Sequence, residues 1–263
     1  MTKKIFSIFL FSFIIYCQSS YQGLDTWVQA NSISLSGSGY LIPFRNDFRN
    51  AAMLVDSNRF FSVDAVSYPA GISGQSLSVN SRINQHFFGF KINRTGYGLF
   101  NERNLDNQKT GEYSASDLHF QIGYGKATKS NKIIIGANSG LFISNIQAYS
   151  AKAITFSPAI IFNLRLIKLG VSFHNYGKLF NSYSNKNENF PTKRVLSLCG
   201  DLPNTNLKLE IDHILLSQLN KNIIRISGLL KLKNGLIVKS GLSSNRFDQK
   251  TGRSIIKNIF SDL

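Results

Sequence analysis

The chain has 263 residues, 43% of them hydrophobic, with 30 Lys and Arg against 14 Asp and Glu and a formal charge of +16. Beyond the first twenty residues, no stretch approaches the roughly 20 uninterrupted apolar residues of a transmembrane helix, which excludes a helical membrane protein. The two cysteines, Cys17 and Cys199, are too few for a disulfide framework.

The N-terminus reads as a secretory signal. Lys3 and Lys4 supply a cationic start, Ile5 to Tyr16 an apolar stretch, and Cys17-Gln18-Ser19-Ser20 a small-residue exit. Cleavage is expected after Ser19 or Ser20. Tyr16 stands where a lipidated cysteine would need a small residue, so Cys17 is not read as a lipid anchor. Export argues against nucleic acid as the partner of the excess cations. On an exported wall they would face the phosphates of outer-membrane lipid and lipopolysaccharide. A Lys- and Asn-rich background accounts for them equally well.

Residues 21–58 differ in pattern from the rest of the mature chain. Ser32-Ile33-Ser34-Leu35-Ser36-Gly37-Ser38-Gly39 suggests a short strand, and Asn50-Ala51-Ala52-Met53-Leu54 is a small-residue run of weak helical character. The region is expected to form an N-terminal plug or entry segment. Residues 59–263 are expected to form the wall.

That wall is written in alternation. Leu118, Phe120, Ile122 and Tyr124 share one face of a strand, and His119, Gln121 and Gly123 the other. Ile135, Ala137 and Leu141 oppose Gly136, Asn138 and Gly140. Similar segments begin near Phe61, Leu77, Phe88, Gly96, Ala153, Ile167, Val195, Leu207, Ile223 and Leu236, about eleven or twelve strands in all. Ile224, Ile226, Gly228, Leu230 and Leu232 lead into Asn234-Gly235, which predicts a type I′ hairpin. Longer polar connections are read at Glu102–Glu112 and Lys178–Lys193, with short ones elsewhere, as barrels have. Tyr68, Tyr97, Tyr113, Tyr124, Tyr149 and Tyr176 lie near strand ends, where an interfacial girdle would place them. The pattern predicts an all-β, antiparallel transmembrane β-barrel in the bacterial outer membrane.

Gly111-Glu112-Tyr113-Ser114-Ala115-Ser116-Asp117-Leu118, with the strand running on to Lys126, resembles a motif of the PorV/PorQ family of outer-membrane barrels. The strands from Ile122 to Leu141 continue the likeness, as does the small-residue run from Ala30 to Gly39. At Asn50-Ala51-Ala52 the family has Asn-Pro-Ala, so Ala51 replaces the proline. The resemblance implies a FadL-like barrel of about fourteen strands when complete, with an N-terminal segment inside the lumen. It also implies work in type IX secretion, escorting or attaching secreted cargo proteins. Such barrels end in a strand with a terminal aromatic. This chain ends Asn258-Ile259-Phe260-Ser261-Asp262-Leu263, so two or three closing strands are expected to be missing from it.

No active site is read from the sequence, and no catalytic, cofactor-binding or metal residues are assigned. His86, His119, His174 and His213 are scattered, with no His-Glu-x-x-His spacing. Gly-x-Ser-x-Gly is absent, and Gly123-Tyr124-Gly125-Lys126 is too short for a phosphate loop. Asp201, Glu210 and Asp212 form a small acidic group near Lys208, with Glu210 and Asp212 on one face. Cys199 is read as a small buried or wall-facing residue. A non-catalytic barrel that binds protein cargo is the leading expectation. A FadL-like channel for small hydrophobic solutes and an exported β-sandwich adhesin are the alternatives.

Overall fold

The computed structural model describes residues 21–42, 48–56, 59–183, 190–217 and 220–245. Residues 1–20, where a signal is expected, and the C-terminal residues 246–263 lie outside the described residues, as do the expectations placed on them.

One antiparallel sheet dominates. Its strands are β1 (Phe60–Ser67), β2 (Ser73–Ile83), β3 (His86–Arg103), β4 (Lys109–Ala127), β5 (Ile133–Ile146), β6 (Tyr149–Asn163), β7 (Ile167–His174), β8 (Tyr176–Asn181), β9 (Lys193–Asp201), β10 (Leu207–Leu216), β11 (Lys221–Lys231) and β12 (Ile237–Ser243). They pair in chain order, except that β8 lies along β6 and β9 returns to β7. Asn175, at φ 58°, separates β7 from β8, and both pair with β6. The two are therefore one wall strand with a kink. Lys178–Lys193, expected to be a connection, begins inside β8. Its exposed, weakly alternating residues carry no strand signal, and pairing with β6 holds it.

Turn chemistry follows composition. Asn84, Asn107, Asn131, Asn204 and Asn220 all take positive φ between strands. Asn tolerates the left-handed region better than most residues. The Asn234-Gly235 turn is longer than its sequence suggests. β11 stops at Lys231 and β12 starts at Ile237, and only Gly235 takes positive φ. A type I′ turn needs two such residues, so the connection is a five-residue one closed by Leu232 N–H to Leu236 O at 2.8 Å. The polar connection at 102–112 is shorter than expected, because β3 and β4 continue to Arg103 and from Lys109.

The sheet is curled. Laid flat, β1 and β12 would stand about 45–50 Å apart at the usual strand spacing. Yet the helix α1 (Ala30–Ser34), only about 7.5 Å long, lies against both. In place of the strand expected over Ser32–Gly39 stand the end of this helix and the turn that follows it. The backbone there is satisfied locally by Ser32 and Ile33 N–H to Gln29 O and by Gly37 N–H to Ser32 O. A second short helix, of 3-10 type, spans Ala51–Asp56 and rests on β3, β4, β5 and β6. Among the described residues, no helix is long and apolar enough to cross a membrane.

The two faces of the sheet are inverted relative to a water-soluble protein. His119, Gln121, Asn138, Thr155, Ser197, Glu210 and Asp212 are buried on the inner face. Phe61, Ile122, Ile135, Phe156, Leu196 and Ile226 stand exposed on the outer face. Much of the buried apolar core comes from the N-terminal segment itself, including Leu35, Leu41, Ala51, Ala52 and Leu54.

Candidate functional site: the inner face and the segment it holds

Residues 21–56 are fastened to the inner face by carboxylates that the alternation of β4 and β10 points inward. Glu210 of β10 has no exposed surface. Its Oε1 accepts the N–H of Tyr40 at 2.5 Å and of Leu41 at 3.0 Å, and its Oε2 accepts those of Leu41 at 3.1 Å and Ile42 at 2.6 Å. Three successive backbone donors so converge on one carboxylate, an arrangement that stabilises both partners away from water. Two residues on, Asp212 accepts the hydroxyls of Ser38 and Ser197, and Ser38 also meets Ser227 at 2.9 Å. The acidic pair noted in the sequence is therefore a clamp. Asp201 does not join it and pairs with Lys208 at 2.7 Å.

A second clamp lies on β4. Asp117 accepts Gly23 N–H at 2.9 Å, the Tyr97 hydroxyl at 2.6 Å and the hydroxyl of Ser144. Beside it Tyr21 packs among Phe142, Tyr183 and Phe190, with ring centroids 5.8–5.9 Å away. Asp117 is the aspartate of the Gly111–Leu118 motif, so part of that motif serves to hold the start of the segment.

Cations complete the attachment. Lys193 pairs with Asp25 at 2.7 Å, and Lys168 pairs with Asp56. The Arg225 guanidinium donates to Gly37 O at 2.6 Å and stacks over Trp27. Within the segment itself, Arg49 donates to Ser32 Oγ at 3.0 Å and to Ser38 O.

Missing side chains matter as much. A Cβ on Gly136 would lie 2.5 Å from Ala52 N, and one on Gly89 2.5 Å from Phe48 Cζ. Gly123 and Gly125 face Leu54 in the same way, and Gly170 faces Leu41. Gly89, Gly123, Gly125 and Gly136 form a low track across β3, β4 and β5 on which the 51–56 helix sits. Sequence reading placed Gly136 and Gly140 on one face but missed this purpose. The signal was present, since glycine in a strand interior marks the close approach of another backbone.

A polar cavity of about 80 Å³ is lined by Asp25, Gln29, Arg49, Lys91, His119 and His174, among others. That volume suits a few water molecules and not an apolar solute. Larger clefts adjoin the segment: one of about 430 Å³ at Val55, Phe87 and Ile134, one of about 580 Å³ at Trp27, Tyr68 and Tyr97, and one of about 440 Å³ near the β3–β4 end, between Tyr21, Tyr97, Phe100, Tyr113 and Tyr183.

The four histidines stay apart. His86 meets the Tyr124 hydroxyl at 2.8 Å, His119 meets Thr155 at 2.9 Å, His174 meets Ser172 at 2.9 Å and His213 meets Asn222 at 3.1 Å. Among the described residues, no three His, Cys, Asp or Glu side chains form a metal-binding group. Cys199 is buried on the inner face. Of the tyrosines expected at an interfacial girdle, Tyr124 stands on the outer face with Phe88, whereas Tyr97 turns inward to Asp117 and Tyr68 donates to Trp27 O.

No protein-family model matches the chain, and no curated protein matches it.

Proposed function

We propose that this protein is a non-catalytic outer-membrane β-barrel of the PorV/PorQ type, with residues 21–56 as a fixed lumen plug, working in the secretion or surface attachment of cargo proteins. The observation that carries the membrane reading is the placement of large apolar side chains on the outer face and of buried polar ones such as His119, Gln121, Glu210 and Asp212 on the inner face. An outer row such as Leu209, Ile211, Ile224 and Ile226 is favourable against lipid. Open strand edges are not tolerated in a bilayer, so this reading requires closure of the edges of β1 and β12, which pair with no further strand among the described residues. The secretion role is supported by the resemblance at Gly111–Lys126.

The cleft beneath Tyr97 and Tyr113 favours a second reading, a channel that admits small hydrophobic solutes from the wall side. Deleting the gene separates the two. Cargo trapped in the periplasm or released unattached, with solute uptake unchanged, is the expected result. Normal secretion with poor growth on a hydrophobic nutrient would replace the secretion role with transport. Recovery of the mature protein in the soluble periplasmic fraction would overturn the membrane reading itself.

A further inference from the structure

The antiparallel order brings five turns to one rim of the sheet: those at 84–85, 128–132, 164–166, 202–206 and 232–236. Each is two to five residues long. The opposite rim has turns of similar length at 68–72, 104–108, 147–148 and 217–220, and it also carries the projecting β3–β4 hairpin and the long 182–192 connection between β8 and β9. Charge differs between the rims as well. At the short-turn rim, Lys126, Lys129 and Lys132 surround the β4–β5 turn, Arg165 tips the next, and Lys231 and Lys233 bracket the last, all exposed. Arg82 is exposed at the β2–β3 turn and Arg59 just ahead of β1. The acids of this rim, Asp56 and Asp201, are already engaged by Lys168 and Lys208. The opposite rim carries fewer exposed cations, Arg103, Lys109, Lys152, Lys178 and Arg194, and mixes them with Glu102, Asp106 and Glu112.

The cations of the short-turn rim are spread around it, from the start of β1 to the turn before β12. A globular partner would touch one side of such a ring, whereas a planar surface surrounding the wall would touch all of it. They also stand where the apolar band stops. Along the outer face of β4, Leu118, Phe120 and Ile122 give way to Tyr124 and then to exposed Lys126. On β6 the exposed Phe162 and Leu164 precede Arg165, and on β11 Leu232 precedes Lys233. Apolar, aromatic and cationic residues in that sequence match the acyl, interfacial and phosphate depths of one leaflet.

We infer that the short-turn rim is a basic collar that binds the anionic headgroups of diacyl phospholipids in the leaflet it crosses. Barrels keep their short turns on the periplasmic side, where that leaflet is phospholipid, so lipopolysaccharide is not its partner. The inference rests on the membrane reading proposed above and adds to it a sidedness and a lipid class.

The test uses the full chain folded into phosphatidylcholine vesicles carrying trace spin-labelled phosphatidylglycerol or spin-labelled phosphatidylcholine. The wild type should restrict phosphatidylglycerol about threefold or more over phosphatidylcholine at low salt. Raising salt to about 0.5 M should abolish most of that preference by screening, a check that needs no variant. Replacing Lys129, Lys132, Arg165, Lys231 and Lys233 together by Gln should bring the ratio close to one. Replacing Arg103, Lys109 and Lys178 by Gln should leave it in place. A ratio of one in the wild type, or a preference lost only with the opposite-rim substitutions, would overturn the collar while leaving the membrane wall intact. A collar-dependent preference for lipopolysaccharide over phosphatidylglycerol would overturn the lipid assignment. If neither labelled phospholipid is restricted at all, the membrane reading falls first and the collar with it.

Discussion

Glu210 and Ile211 are neighbours in β10 and occupy opposite environments. Glu210 is completely buried, whereas Ile211 is 48% exposed. In a water-soluble sheet the two would exchange places. The same reversal recurs at Gln121 and Ile122 and at Ser197 and Leu198. The comparison teaches that the inner face is organised around the backbone of another segment, while the outer face has no partner among the described residues. One side is specified by hydrogen bonds, missing Cβ atoms and local apolar packing, the other by being apolar.

Substitutions can break each side separately. The largest effect is expected at the clamp. Glu210→Ala would strand three buried N–H groups, each worth roughly 1–3 kcal/mol, so a loss of about 3 kcal/mol or more is expected in urea midpoints measured in bilayers. Limited proteolysis should then cut within residues 38–42, which the wild type protects. On the outer face, Ile122→Lys should cost about 2–4 kcal/mol if the site meets lipid near the midplane. At a water-facing site that is 64% exposed, the same change would be nearly neutral. Gly136→Val forces a side chain against the Ala51–Ala52 backbone. Overpacking of this kind costs about 1–3 kcal/mol, and it should loosen the 51–56 helix before the wall, a difference that hydrogen exchange can register. The smallest effect belongs to Lys168→Gln. Its pair with Asp56 is partly exposed, and such pairs contribute roughly 0–1 kcal/mol.

How much of this was legible depended on whether a residue's partner was local. The faces of Leu118–Tyr124 and of Ile135–Leu141 followed from a period of two, which the pleat of a strand enforces. The small-residue character of Asn50–Leu54 pointed to its helical turn. Ser32–Gly39 misled, because its alternation of Ser with apolar residues imitates a strand. Its true partners, Asp212, Arg225 and Gly241, lie more than 160 residues away in the chain. The same distance hid the role of Asp117, whose contact with Gly23 spans 94 residues. Gln121 lies on the inner face with His119 and Gly123, as the alternation predicts, and is buried beside Lys91 in a small, cation-rich cavity, so a Lys at that position is expected to be poorly tolerated.

The claim that the outer face meets lipid is tested most directly by where quenchers can reach. With Cys199→Ser as background, single cysteines at Ile122, Ile226 and Ser130 would carry a fluorescent label in the folded protein in bilayers. Labels at 122 and 226 should be quenched by nitroxide-bearing lipid tails and spared by aqueous iodide, and the label at the exposed turn residue Ser130 should show the opposite. Iodide quenching at 122 and 226, with no effect of the lipid-borne quencher there, would contradict a membrane-embedded wall.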